Sequence, residues 1–324
     1  MNKNLGINEK KKIKMKTITT INNISIAIAL QFTAVSLYAA NNPQEVITIN
    51  SAKFGSSLVK VWVEKYTEKH PEVQIRLVEN QKEETDLRLI PNNIKSEEGE
   101  SIVNVGRYAL LPVTTIENPL YERIAKQRFN EKKLKALFFQ SDVLDTDESK
   151  KKDEFTEKLT IYSGANQVSG AETFATHFGY TTAQLRGKKI AGDDIFLLTA
   201  IGKDHSGITF NNLAYLYDLQ SRNLKSKIAL LPLDLKKKEQ EEALLSGNLD
   251  KALDVLEESE IELVPVEEIG FSYKEKSGVT AFLQWILNEG QQYNHDFGFL
   301  TLEQSQVKKE QKKLDTRLSS NRLI

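Results

Sequence analysis

Apolar and polar positions near the start of the chain predict a strand, a helix and a second strand. The β-branched run at 45–50 predicts the first strand, and a Ser/Gly turn follows it. Residues 71–79 return to the strand pattern. Between them, apolar residues recur at three- and four-residue spacings, which indicates a helix with one buried face: Leu58, Val59, Trp62, Val63 and Tyr66. Strand, helix and strand within about 35 residues form a βαβ unit, so the pattern predicts a parallel sheet.

The later segments continue this alternation of strands and helices. The pattern predicts strands at 86–90, 105–114, 158–164, 206–218 and 226–235. It predicts helices at 170–179, within 182–202, at 241–259 around a central break, and at 277–293. The helix at 277–293 has one apolar face, formed by Val279, Phe282, Leu283, Ile286 and Leu287. The tail 303–324 is almost wholly polar, so we expect it to fray or to dock weakly.

The N-terminal segment has the three parts of a secretory signal peptide. Basic residues at 10–16 precede the uncharged run 24–40, which is too short to predict a membrane span. Leu37 and Ala39 occupy the two positions that a signal peptidase reads, so we expect cleavage after Ala39. Translation from Met15 instead of Met1 would keep this signal intact. The segment 1–39 therefore predicts export to the periplasm, and because no lipid-anchor Cys follows it, we expect a soluble exported protein.

Composition narrows the class of function. The chain of 324 residues has 44 basic and 45 acidic residues, and six of the lysines lie in the segment 1–39. The remaining chain is acidic overall, which gives no basic excess for nucleic acid. The chain has no Cys, so disulfide bonds and thiol catalysis are excluded.

Signals of catalysis and metal binding are weak. The four histidines, at 70, 177, 205 and 295, show no metal-ligand spacing, and neither a G-x-S-x-G elbow nor a phosphate-binding P-loop occurs. Asp193, Asp194 and Asp204 are carboxylates without a neighbouring His or nucleophile. We therefore expect a protein that is not an enzyme and that needs no cofactor.

Two junctions between a strand and a helix carry the chemistry of an anion site. They are the turns 50–57 and 163–172, and both are rich in Ser and Gly. The first N–H groups of a helix have no partner within it, and the helix dipole adds positive charge there, so an anion satisfies both demands. Gly55 and Gly170 allow close approach to the backbone, and Lys53 adds charge.

The second turn also has a purely structural interpretation. Ser169 to Glu172 has the sequence S-x-x-E, a capping box that satisfies a helix start internally. The helix that follows has a packing face and ends at Gly179; the face is formed by Ala171, Phe174, Ala175 and Phe178. Glu172 would also repel an anion. Residue chemistry alone leaves helix capping and ligand binding open.

The order of segments over residues 46–302 resembles the phosphate-type substrate-binding proteins of ABC transporters. The segments that carry the resemblance are "NSAKFGSSLVKVWVEKYTEKHPEVQIRLVE", "VNVGRYALLPVTTIENPL", "YSGANQVSGAETFATHFG", "HSGITFNNLAYLYD" and "FLQWILNEGQQYNHDFGFLTL". The resemblance implies an α/β, two-lobed type 2 periplasmic binding protein fold, in which each lobe is a mixed or mostly parallel sheet flanked by helices. It further implies capture of a small oxyanion between lobes that close on it, without covalent chemistry.

The same resemblance implies a set of ligand-binding residues and a division into lobes. The implied ligand-binding residues are Lys53, Phe54, Gly55, Ser56, Ser169, Gly170 and Ala171. The chain departs from the family pattern where the family has an Arg, here Ala165, and where it has a carboxylate, here Pro91. Lys53 and Ala171 also replace threonines of the family. The expected boundaries are 1–39 for the signal peptide, 45–108 with 205–302 for lobe 1, 109–204 for lobe 2, and 303–324 for the polar C-terminal tail.

Three functions follow from the sequence. The first is a periplasmic binding protein, expected to be a monomer, that delivers phosphate or another small anion to an inner-membrane ABC permease or another envelope component. The second is a ligand-poor relative that acts as an accessory subunit of an envelope transport assembly. The third is a hydrolase on a two-lobed scaffold.

Overall fold

The structure is a computed structural model that describes residues 46–80, 83–91, 99–140, 157–165 and 170–320. The predicted signal peptide at 1–39 lies outside these residues. The strands are β1 (Val46–Ser51), β2 (Gln74–Val78), β3 (Leu87–Pro91), β4 (Ser101–Thr115), β5 (Thr160–Gly164), β6 (Lys188–Ile190), β7 (Gly207–Asn212), β8 (Tyr217–Asp218), β9 (Asn223–Leu224), β10 (Ile228–Leu230) and β11 (Val266–Tyr273).

Ten α-helices occur within the described residues. They are α1 (Ser56–Lys69), α2 (Tyr121–Ala125), α3 (Glu131–Phe138), α4 (Gly170–His177), α5 (Ile195–Lys203), α6 (Leu213–Leu216), α7 (Lys238–Leu245), α8 (Leu249–Glu258), α9 (Ser277–Asn288) and α10 (Gln304–Ser320). Short 3₁₀ turns at Lys53–Gly55, Thr182–Gln184, Gly290–Tyr293 and His295–Phe297 complete the list.

The main sheet is mixed and runs in the order β2-β1-β3-β11-β4-β7-β5-β6, with β10 also paired to β4. Strand β1 is parallel to β3, and β5 is parallel to β6 and β7, so parallel pairs occur in a sheet that is mixed as a whole. Strand β11 is antiparallel to both β3 and β4. A fold in which helices connect parallel strands across a sheet is α/β, as predicted.

Strand β4 is the longest strand and belongs to both halves of the sheet. Residues 101–109 pair with β11, whereas residues 110–115 pair with β7 and β10. Each half thus contains the same arrangement of a parallel group beside an antiparallel neighbour. The strand joins the part of the chain that carries α1 to the part that carries α4.

The helix faces predicted from apolar spacing are buried. Four of the five residues predicted on α1 are buried and Val63 is half-buried, whereas all residues predicted on α4 and α9 are buried. Gly179 adopts a φ of 81° just beyond α4, as expected for a glycine that ends a helix. Apolar periodicity predicted these helices correctly because each one has a single face against the sheet.

Two predicted strand segments differ from the structure, and one strand was not predicted. The segment 206–218 is not one strand: β7 ends at Asn212, whose side chain accepts the N–H of Tyr215 at 3.1 Å and thereby begins α6. The segment 226–235 contains only the three-residue strand β10. Strand β11 was not predicted, because Glu267 and Glu268 interrupt its apolar pattern and a register shift follows at Ile269 and Gly270.

The expectation that the tail frays or docks weakly is wrong for residues 304–316. Helix α10 packs against α9 and β4 and buries Val307, Glu310 and Leu314. These three residues recur at three- and four-residue spacings and share one face. Because only two of them are apolar, the face is difficult to recognise in a polar sequence.

Candidate functional site

The first predicted turn is a 3₁₀ turn, Lys53–Gly55, that leads from β1 into α1. Lys53 and Ser56 are exposed, and the Ser56 hydroxyl donates to the Lys53 carbonyl at 2.8 Å. Gly55 is buried, and a Cβ at this position would lie 2.4 Å from Cδ2 of Leu89. A side chain here would have to displace this Leu89 methyl group, so the packing of Leu89 favours glycine with or without a ligand.

Phe54 of the first turn and Thr173 of α4 both contact Tyr108 of β4. The two rings are 5.3 Å apart between centroids, and Phe54 also stacks on Phe299 at 5.8 Å. The Tyr108 hydroxyl lies 2.6 Å from Oγ1 of Thr173 on α4. The beginning of α1 and the body of α4 thus meet at one buried tyrosine.

The second predicted turn leads from β5 into α4. Ser169 lies outside the described residues, so the predicted capping box remains a prediction. Gly170 begins α4, and its N–H donates to Oδ2 of Asp194 at 2.7 Å. A Cβ at Gly170 would lie 3.0 Å from Cδ2 of Leu110 and 3.2 Å from that Asp194 oxygen. Ala171 is fully buried.

Asp194 is the central ionisable group of this region. It immediately precedes α5, and its backbone carbonyl accepts a hydrogen bond from Nδ2 of Asn211 at 2.7 Å. Burial raises the pKa of its carboxyl to about 6; the bond from Gly170 N–H opposes this rise, and the charge of Asp193 adds to it. Its Oδ1 is buried and has no hydrogen-bond partner among the described residues.

Among the described residues, the ionisable groups that interact with Asp194 are carboxylates and phenols. Burial raises the pKa of Tyr108, opposed by its bond with Thr173, and the charges of Glu267 and Asp194 raise it further. Burial, followed by a hydrogen bond with Asp193, raises the pKa of Tyr215. Burial also raises the pKa of Glu267. Within the described residues, no Lys or Arg contributes to the pKa shifts of Asp194, Tyr108 or Tyr215.

Ala165 and Pro91, which stand where the resemblance implies an Arg and a carboxylate, provide no charge. The N–H of Ala165 donates to the Ile190 carbonyl at 2.8 Å as β5 ends. Pro91 is buried at the end of β3, where it pairs with Ile269 of β11. Lys53 is consequently the one basic residue among the predicted ligand-binding residues.

The third carboxylate noted in the sequence, Asp204, has a structural environment. Its oxygens accept hydrogen bonds from the hydroxyls of Ser206 at 2.6 Å and Tyr162 at 2.8 Å. These hydrogen bonds, that of Ser206 first, lower the pKa of Asp204 to about 2. Asp204 is therefore a satisfied acceptor between β5 and β7.

The described residues contain no group of three or more His, Asp or Glu side chains that could hold a metal ion. Two histidines lie beside single glutamates instead: Nε2 of His205 is 3.2 Å from Glu117, and Nε2 of His295 is 2.9 Å from Glu257. In the described part of the chain, no helix is long and apolar enough to cross a membrane.

Comparison with known proteins identifies the fold. No protein-family profile matches the chain, and no curated protein sequence matches it. The structure is similar to one from Clostridium perfringens, named as a phosphate ABC transporter substrate-binding protein with bound phosphate. It has a TM-score of 0.55 and 13% identity over 80% of this chain and 100% of that one.

Two further structures match with lower scores. An ABC-type phosphate transport receptor from Vibrio cholerae has a TM-score of 0.49 and 12% identity over 79% of this chain and 100% of that one. The regulatory domain of CrgA, a LysR-type transcriptional regulator from Neisseria meningitidis, has a TM-score of 0.44 and 12% identity over 76% of this chain and 99% of that one.

The structural likeness shows that the chain has the two-lobed type 2 periplasmic binding protein fold and resembles the phosphate-type substrate-binding proteins in structure. At 13% identity, it does not transfer the ligand, because one fold supports many functions. The boundaries expected for the lobes, including 109–204 for lobe 2, stay a prediction.

The sequence patterns do not identify the residues that link Phe54 to α4 and α4 to Asp194. Tyr108 lies within an apolar strand, and Thr173 is one polar residue in an apolar helix face. Asp194 was noted only as a carboxylate. The sequence Gly192-Asp193-Asp194 before an apolar helix is a signal for a helix start, but it does not indicate that Asp194 reaches α4.

Proposed function

We propose that the protein is an exported solute-binding protein that holds phosphate or another small anion between the Lys53–Gly55 turn and the start of α4. The observation that carries the proposal is the meeting of these two elements at Tyr108, through the Phe54 ring and the Thr173 hydroxyl. Phe54 and Thr173 lie far apart in sequence and contact the same tyrosine, and this proximity supports a shared binding region. The two-lobed fold supports capture of a solute by lobe closure.

The proposed ligand contacts are non-covalent. Lys53 supplies the charge, Gly55 and Ser56 line the first turn, and Ser169, Gly170 and Ala171 line the second. Lys53 is a flexible single donor, so it orients an oxyanion less strictly than an arginine does. Closure is driven by contacts that the ligand makes only in the closed state.

Export and delivery to a transporter complete the proposal. The signal-like segment 1–39 supports a periplasmic location, and the resemblance to a substrate-binding protein supports an ABC permease or another envelope transport component as the partner. The proposed protein acts as a monomer, and its acidic composition does not favour nucleic acid.

Isothermal titration calorimetry tests this function. The purified chain is titrated with phosphate, sulfate, molybdate and small carboxylates at about pH 5 and about pH 7.5, so that protonation of the site is sampled. We expect saturable binding of at least one anion. Lys53→Ala should weaken it by about 10-fold or more, because a hydrogen bond to a charged group contributes about 1.5–3 kcal/mol.

Lys60→Ala is the matched control, because Lys60 is also exposed and lies on the adjoining helix α1. It should leave the affinity unchanged. Equal losses in both variants would show that Lys53 acts only through the net charge of the surface. No heat of binding from any anion at either pH, with the unaltered chain and with Asp194→Asn, would overturn the proposed function.

A ligand-poor accessory role is the second candidate, favoured by one observation. Asp194 already occupies the N–H of Gly170, and acidic and phenolic groups surround it. A protein with this role would give no heat of binding with any anion of the panel at either pH. The Asp194→Asn variant would give none either.

A further inference from the structure

The start of α4 is bonded to a carboxylate of the chain itself. Helix α4 has eight residues, and its first residue, Gly170, donates its N–H to Oδ2 of Asp194 at 2.7 Å. A carboxylate at this position satisfies a free backbone donor and the positive end of the helix dipole, as a bound oxyanion would. The two groups are 24 residues apart in sequence, so this is not a local helix cap.

Asp194 differs from a carboxylate that is fully satisfied by its surroundings. Its second oxygen, Oδ1, is buried without a hydrogen-bond partner in the described part of the chain. Asp204 shows the contrast, because both of its oxygens accept hydrogen bonds. Leaving a buried oxygen without a hydrogen bond costs free energy. Such unsatisfied oxygens occur at sites that bind or exchange a group.

The groups that face Asp194 do not neutralise it. Asp193, adjacent in sequence, adds a like charge, while Tyr108 of β4 and Tyr215 of α6 interact with it as neutral phenols. Glu267 of β11 adds a further acidic group beside Tyr108. Gly170 N–H is the one hydrogen-bond donor to its side chain among the described residues.

We propose that Asp194 is a specificity-determining residue that acts as an internal substitute for the anionic ligand. An external anion reaches the start of α4 only after this carboxylate has been neutralised by a proton or displaced. The inference rests on the proposed anion-binding function and adds the condition under which the site accepts an anion. An anion beside a charged Asp194 meets like-charge repulsion in a partly buried site, which is weakly screened.

The pKa of Asp194 sets the pH range in which this selection operates. At a pKa of about 6, Asp194 is mostly charged near neutral pH and mostly neutral in mildly acidic solution. Neutral Asp194 keeps an acceptor oxygen for Gly170 and gains a hydroxyl that can donate to an anion. Anion binding should therefore strengthen as the pH falls.

Calorimetric titration with sulfate at about pH 5 and about pH 7.5 tests the inference, because sulfate keeps both negative charges throughout this range. If only the neutral form of Asp194 admits the anion, a pKa of about 6 predicts about 30-fold tighter binding at the lower pH. Asp194→Asn should bind sulfate at about pH 7.5 as tightly as the unaltered chain does at about pH 5, and should lose most of the pH dependence.

Asp193→Asn is the matched control, since it removes the same charge one residue away without touching Gly170. It should retain most of the pH dependence. The hydrogen bond with Glu257 raises the pKa of His295, so a contribution from this histidine appears as the dependence that remains in Asp194→Asn. Near-UV circular dichroism checks that each variant keeps its tertiary packing.

The results separate this inference from the proposed function. Sulfate binding of equal strength at both pH values in the unaltered chain would overturn the inference and leave the function standing. An identical pH dependence in Asp194→Asn and Asp193→Asn would also overturn it. If neither the unaltered chain nor Asp194→Asn binds any anion of the panel at either pH, both the inference and the proposed function fail.

Discussion

At the scale of single residues, Asp194 decides how the candidate site must be interpreted. A Ser/Gly turn before a helix indicates available N–H donors, but the first donor of α4 is already bonded to Asp194. The helix start is thus stabilised whether or not a ligand binds. The sequence offered two explanations for this turn, a capping box and an anion site, and the structure adds a carboxylate from a distant segment.

Asp194 also makes the stability of the folded chain depend on pH. Its pKa is raised from 3.8 to about 6, so the folded state binds this proton more tightly than the unfolded state does. The resulting stabilisation is complete below about pH 3.8 and is lost as the pH rises through about 6. The difference between the two pKa values corresponds to about 3 kcal/mol.

Asp194→Asn removes this titration. Between about pH 4 and about pH 7.5, the unaltered chain should lose up to about 3 kcal/mol of unfolding free energy relative to Asp194→Asn. Urea unfolding followed by fluorescence at several pH values measures this difference. Parallel pH profiles for the two chains would show that the Asp194 carboxyl titrates normally when folded.

At the scale of elements, helices with a continuous apolar face were predicted correctly and sparsely patterned elements were not. Helices α1 and α9 each have several large apolar residues on one face, and burial confirms them. Helix α10 has only Val307 and Leu314 as buried apolar residues in its described side chains, and β11 has two glutamates directly after its first residue, Val266. Contacts with β4 determine the conformation of both elements more strongly than the apolar pattern of their own sequences does.

Helix α10 should contribute to the stability of the whole fold despite its polar sequence. Leu314 is 1% exposed, so Leu314→Ala should lower the unfolding free energy by about 2–5 kcal/mol, as for other buried leucines. Lys312→Ala, at an exposed position of the same helix, should change it by less than about 0.5 kcal/mol. Urea unfolding distinguishes the two. If both substitutions lowered the unfolding free energy by a similar small amount, α10 would contribute little to the stability of the core.

At the scale of the whole molecule, the proposed function requires export. Expression of the full chain in a Gram-negative host, with cell fractionation and intact-mass measurement, should give a periplasmic protein that lacks residues 1–39. Ala39→Leu places a large residue at the cleavage site and should block processing, whereas Ala34→Leu makes the same change within the apolar run and should not. A full-length cytoplasmic product from the unaltered chain would contradict the proposed location.

The sequence by itself determined the α/β class, the βαβ beginning of the chain, the buried faces of α1, α4 and α9, and Gly179 at the end of α4. These features depend on residues that are neighbours along the chain, so they can be predicted from apolar spacing and from the residues of turns.

Only the tertiary structure brought Phe54 to Tyr108, Tyr108 to Thr173, and Asp194 to Gly170. Each contact joins residues far apart in sequence, and each depends on how strands pair in the sheet, which no local pattern specifies. The sequence therefore predicts an anion position at the start of α4. Only the packing of the sheet shows which group occupies it: the carboxylate of Asp194, 24 residues away.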